Sequence, residues 1–131
     1  PDVISFSAAI TACEKGRQWE RALSLLYKMR NNGLPGNLVS FNAAISACEK
    51  GMQHQRAISL FDTMRKAGMT CTVITFSAAI SACEKGRQWE QALLLIEKMR
   101  QAGITCNVIS FSSAISVCAK SGQWQHALSL L

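Results

Sequence analysis

At 131 residues, 49% of them hydrophobic, the chain has the length of one domain and enough apolar residues for a sizeable core, which excludes a disordered tail. No unbroken apolar run approaches the roughly 20 residues of a membrane-spanning helix, so no membrane insertion is expected. Fourteen Lys and Arg against eight Asp and Glu give a formal net charge of +6, which favours polyanionic partners without choosing among them. The chain opens without a Met and closes within the apolar "ALSLL", so we expect a fragment of a longer protein.

The sequence repeats itself with a period of 35 residues. Residues 3–37 and 73–107 are identical at 24 of 35 positions, and the same shift aligns columns of four residue types along the whole chain. The columns are Phe6, Phe41, Phe76 and Phe111; Ile10, Ile45, Ile80 and Ile115; Cys13, Cys48, Cys83 and Cys118; and Ala22, Ala57, Ala92 and Ala127. These registers divide a single array into three full units, 3–37, 38–72 and 73–107, and a partial fourth, 108–131.

The first part of each unit predicts a helix. In the first unit Ser5 is a typical N-cap, and Phe6, Ile10 and Cys13 follow on one helical face. Gly16 suits the left-handed conformation that ends many helices. The equivalent N-caps are Ser40, Thr75 and Ser110, and the equivalent glycines are Gly51 and Gly86.

The second part of each unit predicts a second helix. In the first unit Trp19, Leu23 and Leu26 lie along one face, Gly33 ends the helix, and Arg30 in the last turn complements the helix dipole. A two-helix unit of this size cannot cover its own apolar faces, whereas stacked units can. The fold class predicted is therefore all-α, an α-solenoid whose handedness the pattern does not fix.

A polar stripe runs along the predicted first helix of every unit. Ser7, Thr11 and Lys15 are spaced four residues apart and share one face. The other units repeat the stripe as Asn42, Ser46 and Lys50; Ser77, Ser81 and Lys85; and Ser112, Ser116 and Lys120. Small hydrogen-bonding groups beside a column of cations suit single-stranded nucleic acid, with bases read by the former and phosphates neutralised by the latter. An ordinary solvated helix face is an equally good interpretation of this periodicity.

Other reactive-looking residues are assigned to structure. The cysteines form no CxxC pair, and the column at Cys13 indicates packing rather than metal binding or disulfides. Neither His54 nor His126 has a Cys or carboxylate constellation around it, and Glu14 is expected to be solvated. The tryptophans Trp19, Trp89 and Trp124 have core spacing. We therefore expect no catalysis, no metal or other cofactor and no small-molecule substrate within these residues.

The segment "VITFSAAISACEKGRQWEQALLLIEKM" at residues 73–99, with its 35-residue period, resembles the pentatricopeptide repeat. The resemblance covers the whole chain. Tetratricopeptide repeats, which bind peptides, have 34 residues and a signature that is absent here. The resemblance implies an α-solenoid that binds single-stranded RNA, one nucleotide per repeat, in mitochondria or plastids.

The resemblance also implies roles for particular residues. The second residue of each unit wedges against a base; these residues are Ile4, Val39, Ile74 and Ile109. The fifth and last residues select the base; they are Ser7 with Asn37, Asn42 with Thr72, Ser77 with Asn107, and Ser112 with a partner beyond the chain. The phosphate-facing lysines are Lys15, Lys50, Lys85 and Lys120. The family's code reads these pairs as adenine, a pyrimidine and adenine, with the N-terminal end of the chain toward the RNA 5′ end.

The chain departs from the family pattern in its turns. The usual Lys-x-Gly occurs as Lys120-Ser121-Gly122, whereas the first three units place Gly directly after Lys and follow it with another residue. Those residues are Arg17, Met52 and Arg87, and the usual Pro before the last residue is replaced by Gly36, Cys71 and Cys106. The alternative function is that of a solenoid scaffold in a large organellar assembly, such as a ribosome or membrane complex, with protein subunits as its partners.

Overall fold

A computed structural model describes residues 2–34, 36–105 and 108–129, without the side chains of residues 108–110, 126 and 127. These residues form eight α-helices and no strand. The helices are α1 (Val3–Lys15), α2 (Trp19–Asn31), α3 (Leu38–Lys50), α4 (His54–Lys66), α5 (Val73–Lys85), α6 (Trp89–Gln101), α7 (Val108–Lys120) and α8 (Trp124–Ser129). None of them is long and apolar enough to span a membrane.

The helices stack as two layers. Each odd-numbered helix packs against the next odd-numbered one, and α1, α3, α5 and α7 form what we call the first-helix layer. Helices α2, α4, α6 and α8 form the second-helix layer, in which α2, α4 and α6 each pack against the first helix of their own unit and of the next. The predicted all-α solenoid of two-helix units is therefore confirmed.

The core runs through all the units between these layers. Ile10, Ile45 and Ile80 are fully buried, and Phe61 meets Phe76 of the next unit edge-on with 5.1 Å between ring centroids. Each such side chain contributes about 1.5–3 kcal/mol by leaving water. The stacking interface between units is thus continuous with the core inside each unit.

The cysteines contribute to this packing. Cys48, Cys83 and Cys118 are buried, whereas Cys13 and Cys71 are partly exposed and Cys106 lies outside the described residues. Burial raises the pKa of Cys48 to about 11 and that of Cys83 to about 12, so these thiols stay neutral and unreactive. Among the described residues no group of three His, Cys, Asp or Glu could hold a metal ion.

The first helices begin earlier than the sequence predicts. The N-caps are Asp2, Asn37 and Thr72, and the predicted caps lie three residues later, inside the helix. In the second unit Ser40 N donates to Asn37 Oδ1 at 2.8 Å, and Asn37 N donates to Ser40 Oγ at 2.9 Å. Such a reciprocal capping box satisfies two backbone amides, whereas a cap at Ser40 would satisfy one. Helix α7 likewise begins at Val108, two residues before Ser110.

The turn glycines do not have the predicted left-handed conformation. Gly16, Gly51 and Gly86 have φ between −84° and −86°, and the left-handed residue is the next one. That residue is Arg17 (φ 57°), Met52 (φ 63°) or Arg87 (φ 56°), whereas the fourth unit places Gly122 there (φ 76°).

The space around Gly51 explains why glycine precedes the left-handed residue. A Cβ at Gly51 would lie 2.3 Å from Trp19 Cδ1 of the preceding unit. In this turn glycine therefore provides room for a ring, and Met52 adopts the strained conformation, which is uncommon for residues with a Cβ.

The prediction that all three tryptophans are core residues is wrong for Trp124. Trp19 and Trp89 are partly buried and pack against the core, but Trp124 is 62% exposed. Trp19 owes its burial to Gly51 and Arg56 of the following unit. Trp124 lies in the last described unit, and no described helix packs over it as the second unit packs over Trp19.

Candidate nucleic-acid interface

Apolar side chains project from the start of the first helices. Ile4, Val39 and Ile74 are 78%, 56% and 67% exposed, although each lies on a helix that also contributes a Phe and an Ile to the core. Exposed branched aliphatic residues at the same place in three units form a repeated apolar surface. These are the predicted base-wedging positions; the side chain of Ile109, the fourth, lies outside the described residues.

A groove of about 460 Å³ lies between the first two of these side chains. Its lining consists of Ile4, Ser7, Ala8, Thr11, Asn37 and Val39. Wedge residues from two consecutive units thus share one groove with the fifth and last residues of the first unit. The predicted base-selecting pair therefore faces the same space as the predicted wedges.

The pair in the first unit is in direct contact. Ser7 Oγ donates to Asn37 Oδ1 at 3.1 Å, and the same oxygen accepts the Ser40 amide as its helix cap. The carbonyl end of the Asn37 side chain is thus held by two protein donors. This orients the Asn37 amide group, whose NH₂ can donate to a base.

The pair in the second unit is bridged by a third residue. Thr75 Oγ1 donates to Asn42 Oδ1 at 2.7 Å and lies 3.2 Å from Thr72 Oγ1. Asn42 and Thr72 therefore share Thr75 as a neighbour, which the sequence analysis did not anticipate.

The third and fourth units are described less fully. Ser77 is partly buried, and its predicted partner Asn107 lies outside the described residues. Ser112 is exposed on α7. Base selection by all seven of these residues stays a prediction.

The lysine column is tied to a column of glutamates that sequence reasoning missed. Lys50 Nζ lies 2.6 Å from Glu14 of the preceding unit, and Ser46 Oγ donates to the same carboxylate oxygen at 2.8 Å. The next two units repeat this arrangement. Lys85 and Ser81 bind Glu49 at 2.6 and 2.8 Å, and Lys120 and Ser116 bind Glu84 at 3.3 and 3.0 Å. We call these three groups the glutamate ladder.

The ladder corrects the expectation that Glu14 is solvated. Its side chain is only 16% exposed. The hydrogen bond from Lys50 is the largest influence on the pKa of Glu14, which lies below its ordinary value of 4.5 despite partial burial. The signal was in the sequence, because Glu14, Glu49 and Glu84 are spaced by 35 residues beside the lysines. Only the inter-unit stacking, however, shows which lysine each glutamate meets.

The ladder also changes the electrostatics of the predicted phosphate site. Each of Lys50, Lys85 and Lys120 keeps 38–54% of its side chain exposed but has a carboxylate as its partner. Lys15 occupies the same position in the first unit and is exposed. Three of the four predicted phosphate contacts are therefore already neutralised within the protein.

Stacked two-helix units that repeat an apolar residue, a polar pair and a lysine on one face define a modular α-solenoid with one equivalent surface position per unit. The chain belongs to the pentatricopeptide repeat family. Three family profiles match it: the pentatricopeptide repeat domain at residues 1–51, the PPR repeat family at 36–85, and the PPR repeat at 74–104 and 109–131.

Solved structures of the same family share the fold. The pentatricopeptide repeat protein PPR10 from maize is 27% identical with a TM-score of 0.82, and the alignment covers 100% of this chain. PPR10 in complex with an 18-nt psaJ RNA element is 26% identical with a TM-score of 0.80 over 98% of this chain. The chain spans only 19% of the maize protein in either comparison.

A more distant structure supports the fold alone. The PPR domain of Arabidopsis thaliana protein-only RNase P 1, solved with tRNA, is 19% identical with a TM-score of 0.88, covering 98% of this chain and 68% of that one. A comparison with curated protein sequences gives no significant match.

Proposed function

We propose that the chain binds single-stranded RNA along the first-helix layer, one nucleotide per repeat. The observation that carries this proposal is the groove between Ile4 and Val39, in which Ser7 and Asn37 are in contact. A base inserted there has an apolar side chain on each side and a hydrogen-bonding pair at its edge. Membership of the family and the RNA complex of the similar maize protein support the same conclusion.

Base selection in this proposal follows the polar pairs. The Asn37 amide, oriented by its capped carbonyl oxygen, supplies a donor suited to the ring nitrogens of adenine. The group of Asn42, Thr72 and Thr75, in which the Asn42 carbonyl oxygen accepts from Thr75, is assigned to a pyrimidine. The preferred RNA sequence for the first three units is then adenine, pyrimidine and adenine, with the 5′ end toward the N-terminal end of the array.

Phosphate neutralisation in this proposal involves an exchange of partners. The lysines of the ladder would leave a carboxylate in order to meet a phosphate, so their gain on RNA binding is smaller than that of unpaired lysines. Lys15, Lys50, Lys85 and Lys120 are the proposed contacts. Stacking contributes on the order of 1–3 kcal/mol per base in single-strand binders, so four units bind weakly and high affinity needs a longer array.

The test removes the apolar walls. The triple variant Ile4→Ser, Val39→Ser and Ile74→Ser changes only exposed side chains. We expect its affinity for an adenine-rich single-stranded RNA, measured by fluorescence anisotropy at low salt, to fall at least about tenfold. The matched control is Tyr27→Ser, Leu94→Ser and Leu128→Ser, which changes three exposed side chains of the second-helix layer.

The outcomes distinguish RNA binding from a scaffold. A loss confined to the wedge variant supports the proposal. Equal affinities of the wedge and control variants, or no salt-sensitive binding by the unaltered chain, would overturn it. In that case the protein partners of an organellar assembly become the better explanation of the repeated surface, and a structure with side chains of another protein along the groove would establish them.

The cellular setting is part of the proposal. RNA processing, stability or translation in a mitochondrion or plastid is the setting favoured by the family's usual role, and the chain acts there by binding rather than by catalysis. Sequencing of RNA crosslinked to the full-length protein in whole cells tests this setting. Recovery of nuclear or cytosolic transcripts alone would contradict it.

A further inference from the structure

The excess positive charge of the molecule lies in the second-helix layer. In the first-helix layer four lysines are balanced by the three ladder glutamates and Asp2. The second helices and the turns next to them hold ten Lys and Arg against four carboxylates, which accounts for the whole net charge of +6. The proposed single-strand groove is thus nearly neutral, and the opposite layer is the one that attracts polyanions.

Cations from neighbouring units meet in the grooves of this layer. A groove of about 240 Å³ between α2 and α4 is lined by Arg30 and Arg56, one from each unit. A groove of about 310 Å³ between the second and third units is lined by Arg65 and Lys98. Within the described part of the chain, none of these four forms an ion pair with a carboxylate. We call them the groove cations.

Helix-end electrostatics does not explain all of the groove cations. Arg30 and Arg65 lie in the last turns of their helices, where a cation complements the dipole. Arg56, however, is the third residue of α4 (His54–Lys66), where the dipole disfavours a positive charge. Its position therefore calls for another stabilising partner.

Aromatic rings hold three of the guanidinium groups. The Arg56 guanidinium carbon lies 5.2 Å from the Trp19 ring centroid, and those of Arg30 and Arg65 lie 5.9 Å from the rings of Phe41 and Phe61. Cation–π contacts restrict these side chains and leave the N–H groups able to bind an anion. A planar guanidinium binds a phosphate with two hydrogen bonds, so these arginines are preorganised for phosphate binding.

We propose that the grooves of the second-helix layer bind the phosphate backbone of double-stranded RNA without reading its sequence. The first of these grooves is also lined by the hydrogen-bonding side chains of Tyr27, Gln55, Ser59 and Thr63. A duplex presents phosphates and 2′-hydroxyls rather than free base faces, and this lining of cations, amides and hydroxyls is suited to them. The chain then holds a single strand on one layer and a neighbouring duplex on the other, as at the foot of an RNA hairpin.

The experiment compares two variants of equal charge. The groove variant is Arg30→Gln, Arg56→Gln, Arg65→Gln and Lys98→Gln; the control is Lys15→Gln, Lys50→Gln, Lys85→Gln and Lys120→Gln. The probes are a blunt-ended 20-base-pair RNA duplex and a 12-nucleotide adenine-rich single strand, titrated at several salt concentrations. We expect the groove variant to bind the duplex at least about tenfold more weakly, with a salt slope reduced by roughly one for each lost phosphate contact, and to keep single-strand binding.

The control separates this proposal from the proposed function. The control variant should keep duplex binding, and a loss of single-strand binding in it concerns the first-helix layer only. Duplex binding that is absent in the unaltered chain, or equally weakened in both variants, would overturn the present proposal. Binding to phosphatidylserine vesicles without duplex binding would overturn it too, since the partner would then be a membrane surface. If the fourfold variant fails to fold, Arg65→Gln with Lys98→Gln tests one groove alone.

Discussion

The two layers join neighbouring units by different means. In the first-helix layer, Glu14 binds Ser46 and Lys50 of the next unit through charge-assisted hydrogen bonds. In the second-helix layer, the Trp19 ring packs against Gly51, and Arg56 lies over its face. The first kind of contact can be exchanged for a phosphate, whereas the second cannot be opened without unstacking the units. The layer that meets the proposed single strand is therefore the one whose contacts between units are replaceable.

The largest expected effect comes from filling the space beside Trp19. In Gly51→Ala the new Cβ would lie 2.3 Å from Trp19 Cδ1, so the ring or the turn must move. We expect a loss of about 1–3 kcal/mol in the free energy of unfolding, measured by urea denaturation. Gly16→Ala is the matched control, because its Cβ would find its nearest neighbour at 3.4 Å, an ordinary contact. Equal losses in the two variants would show that ring packing does not join the second-helix layer.

The sequence predicted the arrangement of the units but not the contacts between them. Period, helical faces and the core columns at Phe6 and Ile10 follow from spacing alone, and the structure confirms them. The helix starts were wrong because Asn37 and Ser40 are both good caps, and only the reciprocal bonds show which one is used. The left-handed conformation predicted for Gly51 was also wrong, since this glycine is needed to make room for the Trp19 ring of another unit.

The candidate site shows the same division. The positions of Ser7 and Asn37 could be named from the sequence, but their 3.1 Å contact depends on the packing of α1 against α3, because Asn37 is the N-cap of α3. The partner of Lys50 could not, because an exposed lysine and a glutamate 36 residues away are related only after stacking. The sequence analysis therefore missed that three lysines of this surface are paired with carboxylates.

Removing the carboxylates of the glutamate ladder tests whether the contacts of the first-helix layer can be exchanged for phosphate contacts. The triple variant Glu14→Gln, Glu49→Gln and Glu84→Gln releases three lysines from their carboxylates. We expect single-stranded RNA to bind about tenfold more tightly, equivalent to about 1.4 kcal/mol, with a steeper salt dependence in anisotropy titrations.

The control for the ladder variant removes the same number of negative charges from the second-helix layer. Glu20→Gln, Glu90→Gln and Glu97→Gln remove three exposed carboxylates of the second-helix layer, for which the described residues show no ion pair. This variant should bind the single strand almost as the unaltered chain does. A similar gain in both variants would mean that net charge alone, and not the ladder, governs binding.

The smallest expected effect is a pH dependence of stability that comes from one step of the ladder. The hydrogen bond from Lys50, followed by that from Ser46, lowers the folded-state pKa of Glu14 below the ordinary value of 4.5. A depressed carboxyl pKa stabilises the fold at pH values well above 4.5, and this contribution is lost as the pH falls through the folded pKa. Because the pair is partly exposed, we expect this contribution to the free energy of unfolding to be about 0.5–1 kcal/mol.

Thermal melts between pH 7 and pH 3 test this contribution. Glu14→Gln should lose less stability than the unaltered chain as the pH falls. The control Glu90→Gln, which lacks such a partner among the described residues, should follow the unaltered chain. Parallel curves for Glu14→Gln and the unaltered chain would show that the ladder orients Lys50 without stabilising the stack, and the first-helix layer would then be held by its apolar core alone.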